Sequence, residues 1–472
     1  MSIKIVPVIL AGGTGSRIWP LSKKNNPKQF LKIFHSKSLF QLTLEKIIYL
    51  QKKNNKIINN PIVVTNEEYR FFCKNQLREY SLDSQIILEP EPKNTAISIA
   101  LAAKLCHEKY ENSILIVMPS DHIIKNKNIM FNTISKILKN IIKHPNSLGL
   151  IGIKPSFPST EYGYMETSKI ENNLFEVLNF FEKPNLANAK KYISNNYLWN
   201  SGLFVFNNNT YLDFILSDNF FNNNLNLCWE KKSLDLNFYR PNHKFFNMLN
   251  KISFDNYFVE KLIDLNIPVY ASILDCEWND LGSWESIEKH VNSSKNNLFN
   301  IKSNNNFILS DQKTIMVGVN GVIVCQDKDF LFIADKRSIA KHSKLINELS
   351  KKKSKELEPN NQVHRPWGFY EILDKHSNFL TKKITLYAKS RLSYQKHNFR
   401  SEHWVVIFGS IKVIINDELF TLKSNQSIDI PKNSKHRMIN DSNKIAIVIE
   451  IQSGSVLSED DVIRFDDDYS RA

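Results

Sequence analysis

The sequence predicts an α/β domain wound around a mostly parallel sheet, followed by a short β-rich module and an all-β barrel or sandwich. Three observations support this fold class. The chain has 472 residues, more than one hydrophobic core usually organises. Up to about residue 290, short apolar runs alternate with helical patterns, as in right-handed βαβ units. Beyond residue 361, short strands and turns alternate with little helical periodicity.

The individual elements follow from apolar runs and turn residues. Strands are predicted at the short apolar runs Lys4–Leu10, Pro61–Thr65, Ser84–Leu88, Ser113–Met118, Leu148–Ile153 and Leu203–Phe206. Helices are predicted over Ser38–Tyr49 and Thr95–Tyr110. The β-rich module is marked by the strands Ile315–Val319, Val322–Gln326 and Phe330–Ala334. We therefore expect a first domain over residues 1–292, the module over 293–349, a polar linker over 350–362 and a last domain over 363–472.

Composition and charge argue against nucleic-acid and membrane partners. The net charge is +14, but the lysines travel with asparagines and are not interleaved with aromatic residues, which is typical of a solvated surface. No apolar run approaches the ~18–20 residues that a membrane span needs. The chain begins with a strand and without a cleavable apolar leader, so we expect a cytoplasmic protein. The five cysteines are widely spaced, so we expect them to be buried and reduced.

Glycines are concentrated directly after the first strand. The chain has only 13 glycines, and three of them are Gly12, Gly13 and Gly15. Backbone amides can approach phosphate oxygens closely where no Cβ intervenes, and Arg17 adds a guanidinium that suits phosphate. The pattern is neither GxGxxG nor a P-loop. It indicates a nucleotide-phosphate site, with a simple tight turn as the alternative.

Two segments around this loop resemble a known signature. Residues 11–22 read AGGTGSRIWPLS and residues 27–31 read PKQFL. They are similar to bacterial mannose-1-phosphate guanylyltransferases that are coupled to a type II mannose-6-phosphate isomerase. The resemblance covers nearly the whole chain and implies a Rossmann-like nucleotidyltransferase sheet and a C-terminal cupin barrel. It implies synthesis of GDP-mannose and diphosphate from GTP and mannose 1-phosphate, with Arg17 and Lys28 acting on the phosphates.

Two aspartates are candidate ligands for Mg²⁺. Asp121 ends the apolar strand at Ser113–Met118, which places it at the carboxyl edge of a parallel sheet, where such folds bind ligands. Asp280 lies in a tract that is rich in tryptophan and glycine. Mg²⁺ in such enzymes is bound by one or two carboxylates and by the substrate phosphates. An isolated aspartate at a strand end can also be a helix cap or turn residue, but both motifs occur here in the family's order.

Further short segments match the family's sugar and base contacts. The resemblance implies sugar binding by Gly163, Glu182 and Asn200, with Lys183 reaching the sugar phosphate. It implies nucleotide contacts from the segment Glu89–Ala96, among them Asn94 and Thr95. The family usually has arginine where Lys93 stands. Taken alone, each of these segments could be a surface turn.

The C-terminal region carries a second constellation. The spacing of Gln395, His397, Glu402 and His436 resembles the two cupin motifs, and this set of N and O donors suits Zn²⁺ or a similar divalent ion. Arg464 matches an arginine that the isomerase family uses near its substrate. A mannose-6-phosphate isomerase is therefore one interpretation. A barrel that has kept its fold and lost this activity is the other.

Two rival functions stay open. One is another hexose-1-phosphate nucleotidylyltransferase, for thymidine or uridine nucleotides. The other is a catalytically silent sugar-nucleotide sensor. The expected partners are GTP and mannose 1-phosphate, without nucleic acid or membrane, and a homodimer or larger homo-oligomer is open.

Overall fold

The computed structural model describes residues 3–13, 15–23, 26–32, 36–54, 58–110, 112–235, 237–291, 298–327, 330–339, 348–349, 352 and 362–466. The chain forms two compact units, Met1–Ser354 and Lys355–Ala472. The expected boundary at residue 292 and nearly all of the expected linker over 350–362 lie outside the described residues. Those boundaries stay predictions.

The N-terminal unit is built on an eleven-stranded sheet. In chain order the first strands are β1 (Lys4–Leu10), β2 (Ile62–Asn66), β3 (Gln85–Glu89), β4 (Ser113–Pro119), β5 (Ile123–Ile124), β6 (Leu148–Ile153), β7 (Tyr164–Glu171), β8 (Leu174–Phe181), β9 (Leu198–Asn207), β10 (Ser233–Asp235), β11 (Phe238–Arg240), β12 (Val269–Ile273) and β13 (Trp278–Asn279). The sheet order is β10-β11-β3-β2-β1-β4-β9-β6-β12-β8-β7, and β5 pairs separately with β13.

The centre of this sheet is parallel, as predicted, but its second half is mixed. Strands β3, β2, β1 and β4 run parallel, whereas β9 lies antiparallel between β4 and β6. Every residue of β6 is buried and most of β9 is buried too. An apolar run of this kind specifies burial on both faces and carries no information on strand direction.

Helices cover both faces of the sheet. They are α1 (Leu39–Lys53), α2 (Arg70–Glu79), α3 (Thr95–Lys109), α4 (Lys127–Lys143), α5 (Leu186–Ser194), α6 (Asn208–Leu216), α7 (Asn219–Glu230), α8 (His243–Met248), α9 (Glu260–Asp264) and α10 (Trp284–His290), with a π-helical turn at Asp255–Val259. Helices α1, α2 and α4 pack on one face, and α3, α6, α7 and α9 pack on the other. Ser38 and Gln41 form a capping box that fixes the start of α1.

The β-rich strands pack against the end of the α/β domain. They are β14 (Leu298–Ile301), β15 (Phe307–Leu309), β16 (Thr314–Val317), β17 (Val322–Asp327) and β18 (Phe330–Asp335). Trp284, at the start of α10, stacks on Phe332 at 6.0 Å and donates a hydrogen bond to the Trp19 backbone oxygen at 3.3 Å. Two tryptophans of the family-like motifs therefore serve packing.

The C-terminal unit consists of two antiparallel sheets. Its strands are β19 (Gln362–Arg365), β20 (Gly368–Lys375), β21 (Phe379–Leu386), β22 (Ser390–Arg391), β23 (Tyr394–Lys396), β24 (Arg400–Phe408), β25 (Ser410–Ile415), β26 (Glu418–Lys423), β27 (Ser427–Ile430), β28 (His436–Asn440), β29 (Ala446–Gly454) and β30 (Ile463–Asp466). One sheet has the order β19-β20-β21-β29-β24-β27 and the other β26-β25-β28-β23-β30. Trp404, Val413, Met438 and Val448 lie in the core between them.

The cysteines follow the expectation in part. All five are free thiols, and four of them are buried, but Cys276 is only half-buried. It lies in the loop between β12 and β13, where the chain leaves the sheet.

None of the helices in the described ranges is both long and apolar enough to cross a bilayer.

Candidate active sites

A buried glutamine fixes the carbonyl groups of the glycine-rich loop. The side-chain amide of Gln29 donates hydrogen bonds to the backbone oxygens of Ala11 (3.0 Å) and Gly13 (2.8 Å). The Thr65 hydroxyl donates to the same Ala11 oxygen at 2.9 Å. The N–H and C=O of a trans peptide point in opposite directions, so the Gly12 amide faces away from Gln29. The loop thus turns an amide donor outward, as an anion site requires.

Gly15 lets this loop pack directly on Lys28. The φ of Gly15 is 68°, in the left-handed region that favours glycine. A Cβ at this position would lie 2.6 Å from the Lys28 Cβ and 2.7 Å from the Ser22 hydroxyl oxygen. No side chain fits there, so the position of the loop and the position of the lysine are coupled.

Lys28 connects the two aspartates that the sequence proposes as magnesium ligands. Its ammonium lies 2.6 Å from a carboxylate oxygen of Asp121 and donates a 2.6 Å hydrogen bond to the Asp280 backbone oxygen. The carboxylate of Asp280 accepts the Tyr162 hydroxyl at 2.8 Å. Asp121 follows β4 and Asp280 follows β13, which pairs with β5 just beyond Asp121. The structure therefore brings the loop, the lysine and both aspartates to the carboxyl end of the central strands.

The neighbours of Asp121 keep it ionised. Burial acts to raise the pKa of this carboxyl, but the Lys28 ammonium and His122 outweigh burial and lower the pKa to about 2. Burial lowers the pKa of His122, and its Nδ1 is buried without a hydrogen-bond partner among the described residues. A pair of carboxylates of which one is held ionised fits the preference of Mg²⁺ for anionic oxygen ligands.

Arg17 lies at the rim of this site. Its side chain is 54% exposed, and its guanidinium lies 3.0 Å from the carboxylate of Glu161. A Cβ on Gly282 would lie 3.4 Å from the Arg17 guanidinium and 2.7 Å from the Asp280 carboxylate. Arg17 therefore borders the Asp280 loop from the solvent side.

The three residues assigned to the sugar lie next to one another. The Asn200 backbone N–H donates to the Gly163 oxygen at 2.9 Å. A Cβ on Gly163 would lie 2.9 Å from the Glu182 carboxylate, so the absence of a side chain keeps this carboxylate accessible. The Lys183 ammonium lies 2.7 Å from Glu182, and more than half of its side chain is exposed.

Asp255 joins this group, although the sequence reasoning missed it. It begins the π-helical turn, and its carboxylate accepts a 2.7 Å hydrogen bond from the Asn200 side chain. Burial and the nearby Glu182 raise the pKa of Asp255 to about 7. π-Helical turns often occur at functional sites. The sequence feature that could have identified Asp255 is its position as a carboxylate inside an apolar and aromatic run.

Lys93 serves the fold at the position where the family has arginine. Its ammonium donates hydrogen bonds to the backbone oxygens of Phe246, Asn247 and Leu249 at 3.1, 2.7 and 2.9 Å. These acceptors lie at the end of α8. Three carbonyl groups and an ion pair with Glu91 surround the ammonium, so Lys93 holds the end of α8 in place.

The two residues after Lys93 form the start of α3. Asn94 has a φ of 71°, and its side-chain oxygen accepts the Thr95 N–H at 3.1 Å. The Thr95 hydroxyl oxygen accepts the backbone N–H of Phe254 at 2.8 Å. Thr95 therefore ties the start of this helix to the segment that carries the π-helical turn.

Glu89 is a buried carboxyl beside the glycine loop. A Cβ on Gly12 would lie 3.5 Å from its Oε2, and its other oxygen accepts the Ser98 hydroxyl at 2.6 Å. Burial raises the pKa of Glu89 to about 8. The sequence placed Glu89 in the base-contact segment without assigning it a separate role.

The C-terminal unit encloses a second candidate site. Within the described part of the chain, the cluster able to hold a metal ion is His397, Glu402 and His436, whose ligand atoms lie within 4.8 Å of one another. All three are buried. Burial acts to raise the pKa of Glu402, but the His397 hydrogen bond and the adjacent His436 and Arg400 hold it well below its usual range.

The cluster fits Zn²⁺. The His436 Nε2 lies 3.7 Å from Glu402 and is buried without a hydrogen-bond partner among the residues that the structure describes. An imidazole nitrogen left unsatisfied beside a carboxylate is suited to bind Zn²⁺. Arg400, which sequence reasoning missed, donates to Glu402 at 3.2 Å and steadies this carboxylate.

Gln395 and Arg464 border the cluster. The Gln395 Nε2 faces the His397 Nε2 at 3.5 Å, and its oxygen accepts the Ser393 hydroxyl. The side-chain amide of Gln395 has to rotate by about 180° before its oxygen can bind a metal ion. Arg464 is the cross-strand neighbour of Gln395, and both residues line the same cavity.

Comparisons with known proteins agree with this two-unit arrangement. Residues 6–297 match the nucleotidyl transferase family, and residues 352–467 match the family described as mannose-6-phosphate isomerase C-terminal. The first match covers more than half of the chain.

Full-length relatives share both units. The chain is 35% identical to a mannose-1-phosphate guanylyltransferase of Salmonella montevideo, over 99% of this chain and 100% of the relative. It is 33% identical to the alginate biosynthesis protein AlgA of Pseudomonas aeruginosa, over 99% and 97%. A crystal structure described as mannose-1-phosphate geranyltransferase from Thermus thermophilus has a TM-score of 0.61 at 23% identity, over 74% of this chain and 99% of that one.

The predicted fold class, an α/β nucleotidyltransferase domain followed by an all-β cupin domain, is confirmed by these matches. The resemblance drawn from residues 11–31 is confirmed along nearly the whole length. The chain belongs to the two-domain family of mannose-1-phosphate guanylyltransferases that carry a C-terminal mannose-6-phosphate isomerase domain.

Proposed function

We propose that this protein transfers a guanylyl group from GTP to mannose 1-phosphate and so supplies GDP-mannose for polysaccharide synthesis. One observation carries the proposal: the Lys28 ammonium lies between the Asp121 carboxylate and the Asp280 loop, in contact with the glycine loop. A cation, an outward-facing amide and two carboxylates in one place can gather a triphosphate with its metal ion and neutralise the charge that develops during transfer.

In this reaction a phosphate oxygen of mannose 1-phosphate attacks the α-phosphorus of GTP. The bond from this phosphorus to the bridging oxygen breaks, and diphosphate leaves with the electron pair. Lys28 stabilises the charge on the reacting phosphates, while the amides of the glycine loop and Arg17 hold the triphosphate. Mg²⁺ held by Asp121 and Asp280 would neutralise phosphate charge. Tyr162 orients the Asp280 carboxylate through its hydrogen bond.

The sugar is bound by the residues around Gly163, which follows Tyr162 in the chain. Glu182 accepts hydrogen bonds from sugar hydroxyls next to Gly163, and Asn200 donates one. Lys183 reaches the sugar phosphate from the exposed edge. Asp255 fixes the Asn200 amide, because it accepts one of the two N–H groups of this amide.

Glu89 is proposed to select guanine, with Asn94 and Thr95 lining the nucleotide at the start of α3. Guanine presents two adjacent N–H donors, which an ionised carboxylate accepts together. Adenine, uracil and thymine do not present this pair. The burial of Glu89 beside Gly12 makes an unpaired charge there costly, so the base that supplies donors to it is favoured.

Replacing Glu89 by glutamine should weaken the preference for GTP over ATP and UTP by about tenfold or more, since one good bidentate contact contributes about that discrimination. The KM for GTP of the unchanged protein should fall as the pH rises through about 8, because the carboxyl must lose its proton to accept both donors. The variant should show no such pH dependence.

Diphosphate release with each nucleotide measures both effects. The matched control is Glu91→Gln, a half-exposed glutamate of the same segment. Unchanged base selection in Glu89→Gln would refute the assignment.

Replacing Gln29 by alanine should raise the KM for GTP about tenfold, because the Gly13 oxygen loses the Gln29 donor and the Ala11 oxygen keeps only the Thr65 hydroxyl. Initial rates at varied GTP give the answer. Gln51→Ala is the control, since Gln51 also donates to a backbone oxygen, at Asn59, away from the loop. A folded Gln29 variant with the original KM would contradict the proposed role of the loop.

A second activity, the interconversion of mannose 6-phosphate and fructose 6-phosphate, is proposed for the C-terminal unit. It is supported by the buried His397–Glu402–His436 cluster and the adjoining cavity. Zn²⁺ or another divalent ion in the cluster would polarise the sugar carbonyl and acidify the neighbouring C–H. Arg464 would bind the phosphate at the cavity wall.

One set of assays tests both proposals. The purified chain is given Mg²⁺, mannose 1-phosphate and each nucleoside triphosphate in turn, and diphosphate release is measured. Preference for UTP or dTTP would favour the rival nucleotidylyltransferase, and tight GTP binding without turnover would favour a sensor. The second assay uses mannose 6-phosphate with Zn²⁺ or Co²⁺, and formation of fructose 6-phosphate is measured.

A further inference from the structure

The cavity of the C-terminal unit contains a carboxylate that is not among the expected metal ligands. Glu450 lies on β29, is 5% exposed and lines the cavity. The amide nitrogen of Gln452 donates to Glu450 at 2.8 Å and to the proposed metal ligand Glu402 at 3.0 Å. One amide nitrogen therefore separates the two carboxylates, and Glu450 faces the cavity beside the metal cluster.

The other charged groups of the cavity are engaged or badly placed for proton transfer at carbon. Glu402 is bonded by Arg400, by the Trp404 indole and by the imidazole of His397. Glu459 lines the cavity with 49% of its side chain exposed, and its carboxylate lies 3.7 Å from Lys382 and 3.6 Å from Arg464.

Lys382 is the cation nearest to Glu450. Its ammonium lies 3.6 Å from the Glu450 carboxylate and 4.8 Å from the centre of the Tyr370 ring. Burial acts to lower the pKa of Lys382, but Glu450 and Glu459 outweigh burial and raise it. Lys382 therefore stays an ammonium, which supports the ionised form of Glu450 and cannot act as a base.

We propose that Glu450 is the base that moves the proton between C2 and C1 in the isomerase reaction; this inference rests on the proposed isomerase function. The Glu450 carboxylate takes the proton from C2 of open-chain mannose 6-phosphate. The C–H electron pair forms a C1–C2 double bond, the C1–O1 π electrons move to O1, and O1 takes a proton from water to give an enediol. Glu450 then returns its proton to C1, O2 gives its proton to water and becomes the ketone oxygen, and fructose 6-phosphate results. Substrate and product are isomers, so no oxidant or reductant is needed.

Burial acts to raise the pKa of Glu450 above that of an ordinary glutamate. A carboxylate with a raised pKa is a stronger base.

The test uses the full chain, loaded with Zn²⁺, and Glu450→Gln. Formation of fructose 6-phosphate should fall by about a thousandfold, within the range that a positioned general base contributes. The zinc content and the affinity for mannitol 6-phosphate, which has no carbonyl group and cannot isomerise, should stay within a factor of about two, because neither depends on proton transfer. With C2-deuterated mannose 6-phosphate, the unchanged protein should lose part of the label to water.

The matched control is Glu371→Gln. Glu371 pairs with Lys383 at 3.4 Å on the neighbouring strands, and it does not belong to the cavity lining. This variant should isomerise at the original rate. Glu450→Asp keeps the carboxylate and should recover part of the activity.

Three results would overturn the assignment of Glu450 or of the isomerase function. If Glu450→Gln isomerises within tenfold of the unchanged protein, or if it loses zinc or mannitol 6-phosphate, Glu450 is not the base. Complete retention of deuterium by the unchanged protein would indicate hydride transfer and would also overturn the inference. If the unchanged chain forms no fructose 6-phosphate with any metal ion, the proposed isomerase function itself is refuted. This outcome is measured before any variant is made.

Discussion

Replacing Lys28 by methionine should lower the turnover of GDP-mannose synthesis by about a thousandfold, which is typical for the loss of a group that stabilises transition-state charge. Lys28 is 5% exposed and contacts the Asp121 carboxylate and the Asp280 backbone oxygen together. Methionine keeps most of the side-chain volume, so the packing against Gly15 survives. The charge on the reacting phosphates loses its counter-ion, and Asp121 loses the cation that lowers its pKa. Diphosphate release at saturating GTP measures the change.

Lys32→Met is the control for this experiment. Lys32 belongs to the same segment, but its side chain is 53% exposed and lies 3.8 Å from Glu79. Turnover should stay within a factor of about two in this variant, as expected for a surface ion pair. If the folded Lys28 variant kept a tenth of the original turnover, the lysine would not be acting on the reacting phosphates.

Replacing His436 by alanine should remove zinc from the C-terminal unit and abolish fructose 6-phosphate formation, while GDP-mannose synthesis continues at the original rate. The cluster would lose one of its two imidazoles, and loss of a ligand is expected to weaken metal binding by about a hundredfold or more. Zinc content after dialysis, together with both activity assays, measures the outcome.

The surface histidine His403 offers the matching control. It lies on β24 next to Asp429 and is partly exposed. His403→Ala should keep zinc and both activities. Full zinc content in the His436 variant would contradict the metal assignment. Loss of GDP-mannose synthesis in a folded His436 variant would show that the two units do not act independently.

Much of the α/β architecture could be predicted from local patterns. The predicted strand at Ser113–Met118 matches β4, and Asp121 lies just beyond its carboxyl end as expected. An apolar run reports burial directly, and a residue at its end is placed by the geometry of a parallel sheet. The direction of β9 could not be predicted in this way, because it depends on a partner far away in the sequence.

Side chains that bind the backbone were harder to predict. Gln29 acts on carbonyl groups 16 and 18 residues earlier, and such a contact exists only once the loop has folded. Asp255 reaches Asn200 across 55 residues, and its π-helical turn has no recognisable sequence period. The resemblance supplied Asn200, and the three-dimensional structure was needed to supply its partner.

The Lys93 contacts bear on how this protein can be engineered. Its ammonium donates hydrogen bonds to three carbonyl oxygens at the end of α8. The flat fork of an arginine could not satisfy them in the same way, although arginine is the usual residue of the family here. Replacing Lys93 by the arginine that is common in the family would remove a side chain whose ammonium matches the carbonyl oxygens around it. Stabilising designs for this chain should therefore leave position 93 unchanged and seek their gains elsewhere.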